Sequence, residues 1–456
     1  MNNNTLLEEG VTETYPAPLV RSDRKNIQWR NVVPDFINSL KKHWSGIDIQ
    51  NWRDPAVLLS VVLLSAIAAF STLPAGALSD EGFHWHQLLQ YFSGRFDTVS
   101  SLTMFPGFHR TVYGLSGLFS FTEIAEVRYA CFLLSIPALL FFFLTSRHYH
   151  GNSSYPLSLQ LLLCPIIFPF FFLLYTDIPS LAMTMTSLWL VTRRNYQLAA
   201  LVMGASLLFR QTNIIWLVMI WAMSLTNMGF FNLLFVNFPG FLRKISYFLR
   251  RSWLFAVFCA LFSAFIYLNG GVAIGDAGNH KLGLYPTQIF LLLFVIFFLF
   301  LPLHITNFRK ILSRLKNEPL LPLFSVLLFA LYILTFDASH GYNSPHMDFF
   351  LRNNLLEFIR TSFLTKLLAF IPALIALLSL MVTPLKRGSH YWIYPFMALS
   401  LLPIGLIEQR YFIVPIVLFM LFRKPISQKL EYLQATLYVP VTVYIFEGIA
   451  KYQFFL

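Results

Sequence analysis

The 456-residue chain is 57% apolar and only 12% charged, with 49 phenylalanines and a net charge of +12. Soluble domains sit at about 45–50% apolar and about 25% charged, so this balance excludes a soluble enzyme and describes an all-α polytopic membrane protein whose apolar side chains face lipid as well as one another. The basic residues fall in short clusters between apolar runs, which excludes a nucleic-acid surface, and Cys131, Cys164 and Cys259 lie inside apolar runs without any metal-binding or disulfide spacing.

Residues 1–54 are polar and basic and read as a cytoplasmic tail rather than a signal peptide, with an interfacial helix near Phe36–Trp44. Residues 55–456 read as one multi-spanning membrane domain of about 12–14 helices. Apolar runs predict spans near 55–73, 129–146, 157–174, 177–192, 197–209, 213–229, 253–269, 286–303, 320–336, 363–383, 391–407, 411–422 and 432–449. A cytosolic N-terminus and simple alternation put about 23 of the 33 Lys and Arg residues on the inner side, as the positive-inside rule expects. Residues 108–121 are apolar enough to cross, but a crossing there inverts every later loop, so they read as re-entrant or interfacial.

The same alternation collects the acidic, His and Asn motifs on the outer side. The long first outer loop, 74–128, carries Ser79-Asp80-Glu81-Gly82-Phe83-His84, then Gln87, Tyr91, Asp97 and Pro106-Gly107. Tyr175-Thr176-Asp177, Arg210-Gln211-Thr212-Asn213, Gly275–Lys281 and Glu408-Gln409-Arg410-Tyr411 follow. Each has an ordinary explanation beside a functional one. Asp80 and Glu81 suit either a helix start capped by Ser79 or a carboxylate base beside the membrane. Asp177 suits a helix cap ahead of Pro179. Arg210 reads as a snorkelling end or an anion ligand, and Arg410 as a structural partner of Glu408 or a phosphate ligand. Gly275–Lys281 lacks the GxxxxGK[ST] spacing, so it is not a P-loop.

In this order the motifs resemble the terminal alpha-1,2-glucosyltransferase family of asparagine-linked glycosylation, within the GT-C superfamily. Asp80-Glu81-x-Phe83-His84, Thr103-x-x-Pro106-Gly107, Tyr175-Thr176-Asp177, Phe209 to Trp216, Asn269 to His280 and Arg410-Tyr411-x-x-Pro415 carry the resemblance across about residues 55–425. His109, the partial match at Leu351–Leu355 and the long polar tail depart from the pattern. The resemblance implies a GT-C-type bundle in the endoplasmic reticulum membrane, with its active site on the lumenal side. It implies a dolichyl phosphate glucose donor, a lipid-linked oligosaccharide acceptor and an alpha-1,2 linkage formed with inversion, for protein N-glycosylation. On that reading Asp80 is the general base with Glu81 as its rival, and Arg410 and Arg210 bind the donor phosphate. His84, Asp177, Asn279 and His280 contact sugar or acceptor. No cofactor is implied; a divalent metal at Asp80 and Glu81 is the one variant, without a ligand cluster behind it. Two other readings fit the composition: a related enzyme using another polyprenyl-phosphate sugar in a bacterial inner membrane, and a lipid-sugar transporter with charged groups along a central path.

Overall fold

Hydrocarbon offers no hydrogen bonds, so a lipid-embedded backbone must satisfy its own, and helices do so within one segment. The computed structural model describes residues 53–100, 102–227, 229, 237–275, 282–343 and 354–455. Asn279, His280 and the Phe36–Trp44 segment lie outside the described residues. Among the described residues there are helices and no strand, apart from one isolated bridge between Leu385 and Arg423.

In chain order the helices are α1 (Arg53–Thr72), α2 (Glu81–Phe92), α3 (Gly107–Phe119), α4 (Ile124–His150), α5 (Ser154–Leu163), α6 (Asp177–Thr192), α7 (Tyr196–Ser206) and α8 (Asn213–Thr226). They continue as α9 (Phe238–Asn269), α10 (Thr287–Leu299), α11 (Leu301–Asn317), α12 (Leu320–Thr335), α13 (Asn354–Arg360), α14 (Phe363–Val382), α15 (Ile393–Leu401), α16 (Ile413–Phe422) and α17 (Gln428–Ala450). One group packs α4 against α6, with α7, α5 and α17 around them; a second packs α10 and α11 against α14. From Ile413 to Phe422 only Val414 escapes full burial in α16, a helix apolar all round and therefore central. By contrast α1 exposes Leu59, Leu63, Leu64 and Ile67, an apolar surface suited to lipid.

Each predicted span meets a helix, and several helices, α5, α7, α8, α10 and α15 among them, are shorter than their apolar runs. Five are long and apolar enough to cross, or six if the pair α10–α11, bent by 102°, counts as one; α8, α12 and the stretch Gln409–Phe422 are shorter apolar helices. The all-helical, polytopic architecture is as expected, and several of the expected spans are, as their apolar runs already suggest, shorter than a full crossing needs. The shortening has local causes. The run 286–303 breaks at Phe300, just ahead of Pro302, and the run 391–407 ends as a helix at Leu401, two residues before Pro403. The stretch 108–121 forms α3, 13 residues long, against the ~20 residues that a crossing needs. Its Phe108, His109, Val112 and Ser116 are buried, so it packs onto the protein by one face.

Arg423, between two apolar runs, is fully buried: its guanidinium donates to both oxygens of Glu431 at 2.6 Å. Gln160 completes the network by accepting from Arg423 at 3.2 Å and donating to Glu431 at 2.7 Å.

Candidate active site

Four chain segments separated by 33 to 330 residues meet where four helices begin. Asp80 precedes α2, Asp177 opens α6, Arg210 lies three residues before α8, and Glu408-Gln409-Arg410 leads into α16. Helix N-termini carry unsatisfied N–H groups and partial positive charge, which favours anions at this end of the bundle.

Glycine and amide contacts explain why the segments arrive together. A Cβ on Gly107 would stand 2.6 Å from Leu208 Cβ, so only glycine lets the start of α3 pass against the chain two residues before Arg210. Gln211 donates to the Thr103 carbonyl at 3.0 Å, and Ile274 N donates to the same oxygen at 3.0 Å. Asn213 donates to Ser180 Oγ at 2.7 Å, tying α8 to α6. Asn343 accepts from Ile407 N at 3.0 Å and donates to the Gly405 carbonyl at 3.1 Å, while Gln288 donates to the Ile404 and Leu406 carbonyls at 3.0 and 2.6 Å. These bonds fix the approach to Glu408 and Arg410.

At the centre, Arg410 donates to Asp80 Oδ2 at 2.7 Å and to Glu408 Oε2. Arg210 donates to Asp177 Oδ1. Tyr411 lies between the two cations, with Arg210 Cζ 5.8 Å and Arg410 Cζ 5.7 Å from its ring centroid; Arg410 also sits 5.5 Å from the Tyr175 ring. Tyr175 Oη accepts from Asp80 N at 3.0 Å, and burial followed by the Asp80 charge raises its hydroxyl well above the usual pKa. Burial opposes the Arg410 charge, but Glu408 and Asp80 outweigh it and keep the guanidinium protonated. Asp80 and Arg410 retain 18% and 15% exposure, so a ligand reaches them; Glu408 and Asp177, at 2% and 1%, are closed off. Asp177 Oδ2 is buried without a hydrogen-bond partner among the described residues. A small, mostly apolar depression lined by Leu291, Val295, Leu355, Leu356, Ile407, Gln409 and Phe412 lies next to Arg410 in the chain.

This geometry departs from the simple capping explanations. Asp80 is the N-cap residue of α2 but its side chain makes no capping bond, and Ser79 turns the chain at φ +56° rather than capping. Asp177 also spends a carboxylate oxygen on Arg210 instead of a helix end. The pairing of Arg410 with Glu408 is present, together with the pairing to Asp80.

Glu81 is placed differently from its neighbour. It is fully buried and accepts four hydrogen bonds: from Arg128 Nε at 3.0 Å, Arg128 Nη2 at 2.6 Å, Leu78 N at 2.8 Å and Leu174 N at 2.6 Å. Those bonds fill the four lone-pair sites of a carboxylate, so the geometry gives Glu81 a structural task and leaves Asp80 as the accessible carboxylate. The two carboxylates address different guanidiniums and do not form the paired ligand set that the metal variant needs. Among the described residues no group of three or more His, Cys, Asp or Glu is disposed to hold a metal ion.

His84 stands one turn after Asp80 on α2, and its Nδ1 lies 2.9 Å from Nε2 of His109 on α3. Burial lowers its pKa to about 4 against the pull of Asp80, so the ring is neutral near pH 7. Sequence reasoning gave no role to Arg128, His109, Tyr175 or Tyr411. Arg128 had a usable signal: a basic residue at the head of an apolar run that carries no other charge until Arg147.

The fold and this cluster define a polytopic, all-helical membrane protein with an ion-paired site at one end of its bundle. The chain belongs to the DIE2/ALG10 family, whose model matches residues 76–421. It is similar to a Candida albicans protein named Dol-P-Glc:Glc(2)Man(9)GlcNAc(2)-PP-Dol alpha-1,2-glucosyltransferase, 28% identical over 63% of this chain and 66% of the relative. Proteins of the same name from Mus musculus and Homo sapiens are 27% and 26% identical over 82% and 80% of this chain, and over 90% and 87% of their own lengths. The alignments thus span just under two thirds of the Candida and Yarrowia lipolytica relatives and most of the mammalian ones. No solved structure matches the chain.

Proposed function

We propose that this protein transfers glucose from dolichyl phosphate glucose to a hydroxyl of a dolichol-linked oligosaccharide, forming an alpha-1,2 linkage. Its relatives bear that activity in their names, and the observation that carries it to this chain is the meeting of Asp80, Asp177, Arg210 and Arg410 at one cluster. The cluster sets three carboxylates, Asp80, Asp177 and Glu408, against two guanidiniums. The surplus and more exposed carboxylate, Asp80, serves as base. It takes the proton of the acceptor hydroxyl as that oxygen attacks C1 of glucose and the C1–O bond to phosphate breaks. Dolichyl phosphate leaves as an anion, so no general acid is needed. Arg410 and Arg210 stabilise its charge, and phosphate competing for Arg410 loosens the Arg410–Asp80 pair as the base is called on. His84 and Asp177 contact sugar. Asn279 and His280 keep their sugar or acceptor role as a proposal from the resemblance.

The test is transfer by purified protein in liposomes. Dolichyl phosphate glucose and a Glc2Man9GlcNAc2 lipid acceptor are expected to yield a product one hexose larger, while dolichyl phosphate mannose yields none. Transfer from the mannose donor, or no transfer from either, contradicts the reading.

In the same reading residues 1–54 are a cytosolic tail, 55–456 the membrane domain, and the cluster faces the lumen of the endoplasmic reticulum. The Lys and Arg bias supports this orientation. So does the contact among the Asp80, Asp177, Arg210 and Arg410 segments, each of which alternation assigns to the outer side. In a background without Cys131, Cys164 and Cys259, single cysteines at the exposed positions Asn152 and Ser339 are expected to label from opposite sides of sealed vesicles. Labelling from one side alone breaks the alternation.

A further inference from the structure

We propose that His109 is a positioning residue that holds His84 as an Nε2–H donor toward the ligand of the Asp80–Arg410 cluster; the inference rests on the reading above. Two rings from different helices meet here, 2.9 Å apart, with His84 3% and His109 0% exposed. Phe108 and Tyr175 clamp the His84 ring edge-on at 5.8 and 5.7 Å between centroids. Burial holds both rings neutral, so one N–H lies between them and the pair has two possible arrangements. The far nitrogen of His109, Nδ1, is buried without a partner among the described residues. If His84 donated from Nδ1, the proton of His109 would sit on that orphaned Nδ1, a buried donor with nothing to bond. If His109 donates from Nε2, its orphan is only a lone pair, the more tolerated of the two defects. The second arrangement therefore prevails. It moves the His84 proton to Nε2, which makes no hydrogen bond to a described residue. His84 lies in the field of Asp80, Arg410, Asp177 and Arg210, so that N–H serves an oxygen of the bound sugar phosphate.

The test measures KM and kcat of the purified full chain for dolichyl phosphate glucose. His109→Leu is expected to raise KM about tenfold, the loss of one hydrogen bond, with a smaller change in kcat. Adding His109→Leu to His84→Ala is expected to cost nothing further, because His109 acts through His84. His109→Gln places an amide donor near the Nε2 position and is expected to restore KM close to the native value. His109→Met fills the space without an N–H donor and is expected to resemble His109→Leu. A native KM in the Leu or Met variant overturns the proposal, as do effects of His84→Ala and His109→Leu that multiply. Elution and thermal unfolding identify any variant that fails to fold. Should His109→Leu be one, the contrast between Gln and Met decides, with equal KM values overturning the assignment. These results are read only where the native protein transfers glucose; a native protein without transfer sinks the functional reading instead.

Discussion

Arg128→Met is expected to lose about 3–5 kcal/mol of folding free energy, the usual result of breaking a buried ion pair from one side. Glu81 has no access to water: its side chain is 0% exposed, and two of its four hydrogen bonds come from Arg128. Without the guanidinium a carboxylate stays behind in an apolar site with only two backbone N–H donors. Arg128 also bonds the Pro74 and Gly76 carbonyls at 2.5 and 2.8 Å, so its loss frees the chain between α1 and α2. Thermal unfolding in detergent, followed by tryptophan fluorescence, measures the effect. Arg128→Met with Glu81→Gln is expected to recover part of the loss, because the stranded charge is gone. An unfolding midpoint unchanged by Arg128→Met would show that this pair does not hold the Asp80 loop.

The sequence made the membrane architecture and the members of the cluster readable, for different physical reasons. Apolar runs report burial in lipid or protein directly, so every predicted span meets a helix. Asp80, Asp177, Arg210 and Arg410 stood out because charge beside hydrocarbon is costly, and the fold brings all four together. Pairings were not legible. Glu81 and Arg128 lie 47 residues apart, and no periodicity links them, so Glu81 stood as a rival to Asp80 although one is locked and the other accessible. Arg423 and Glu431 stand only eight residues apart, yet a basic loop residue and a buried one look alike in a run of letters. Breaks inside an apolar run were not legible, because hydropathy continues through a bend: Phe300 separates α10 from α11 without a change in apolar character. His109 looked like a departure from the family pattern, and its contact with His84 gives it a local function.

The central claim is that Asp80 is the base, and Asp80→Asn tests it most directly. The substitution keeps the shape of the side chain and one oxygen facing Arg410, while removing the ability to take a proton. Folding is expected to hold, because Glu408 still pairs with Arg410 and the Glu81–Arg128 anchor is untouched. Loss of a positioned base typically costs about 10²–10⁴ in rate. The measurement is single-turnover transfer from dolichyl phosphate glucose by native and Asp80→Asn protein in the same liposomes, beside donor binding and thermal unfolding of both. The account predicts at least about a 10²-fold slower transfer with donor binding and stability preserved. Near-native transfer by Asp80→Asn would contradict it and reduce the Asp80–Arg410 contact to a structural ion pair.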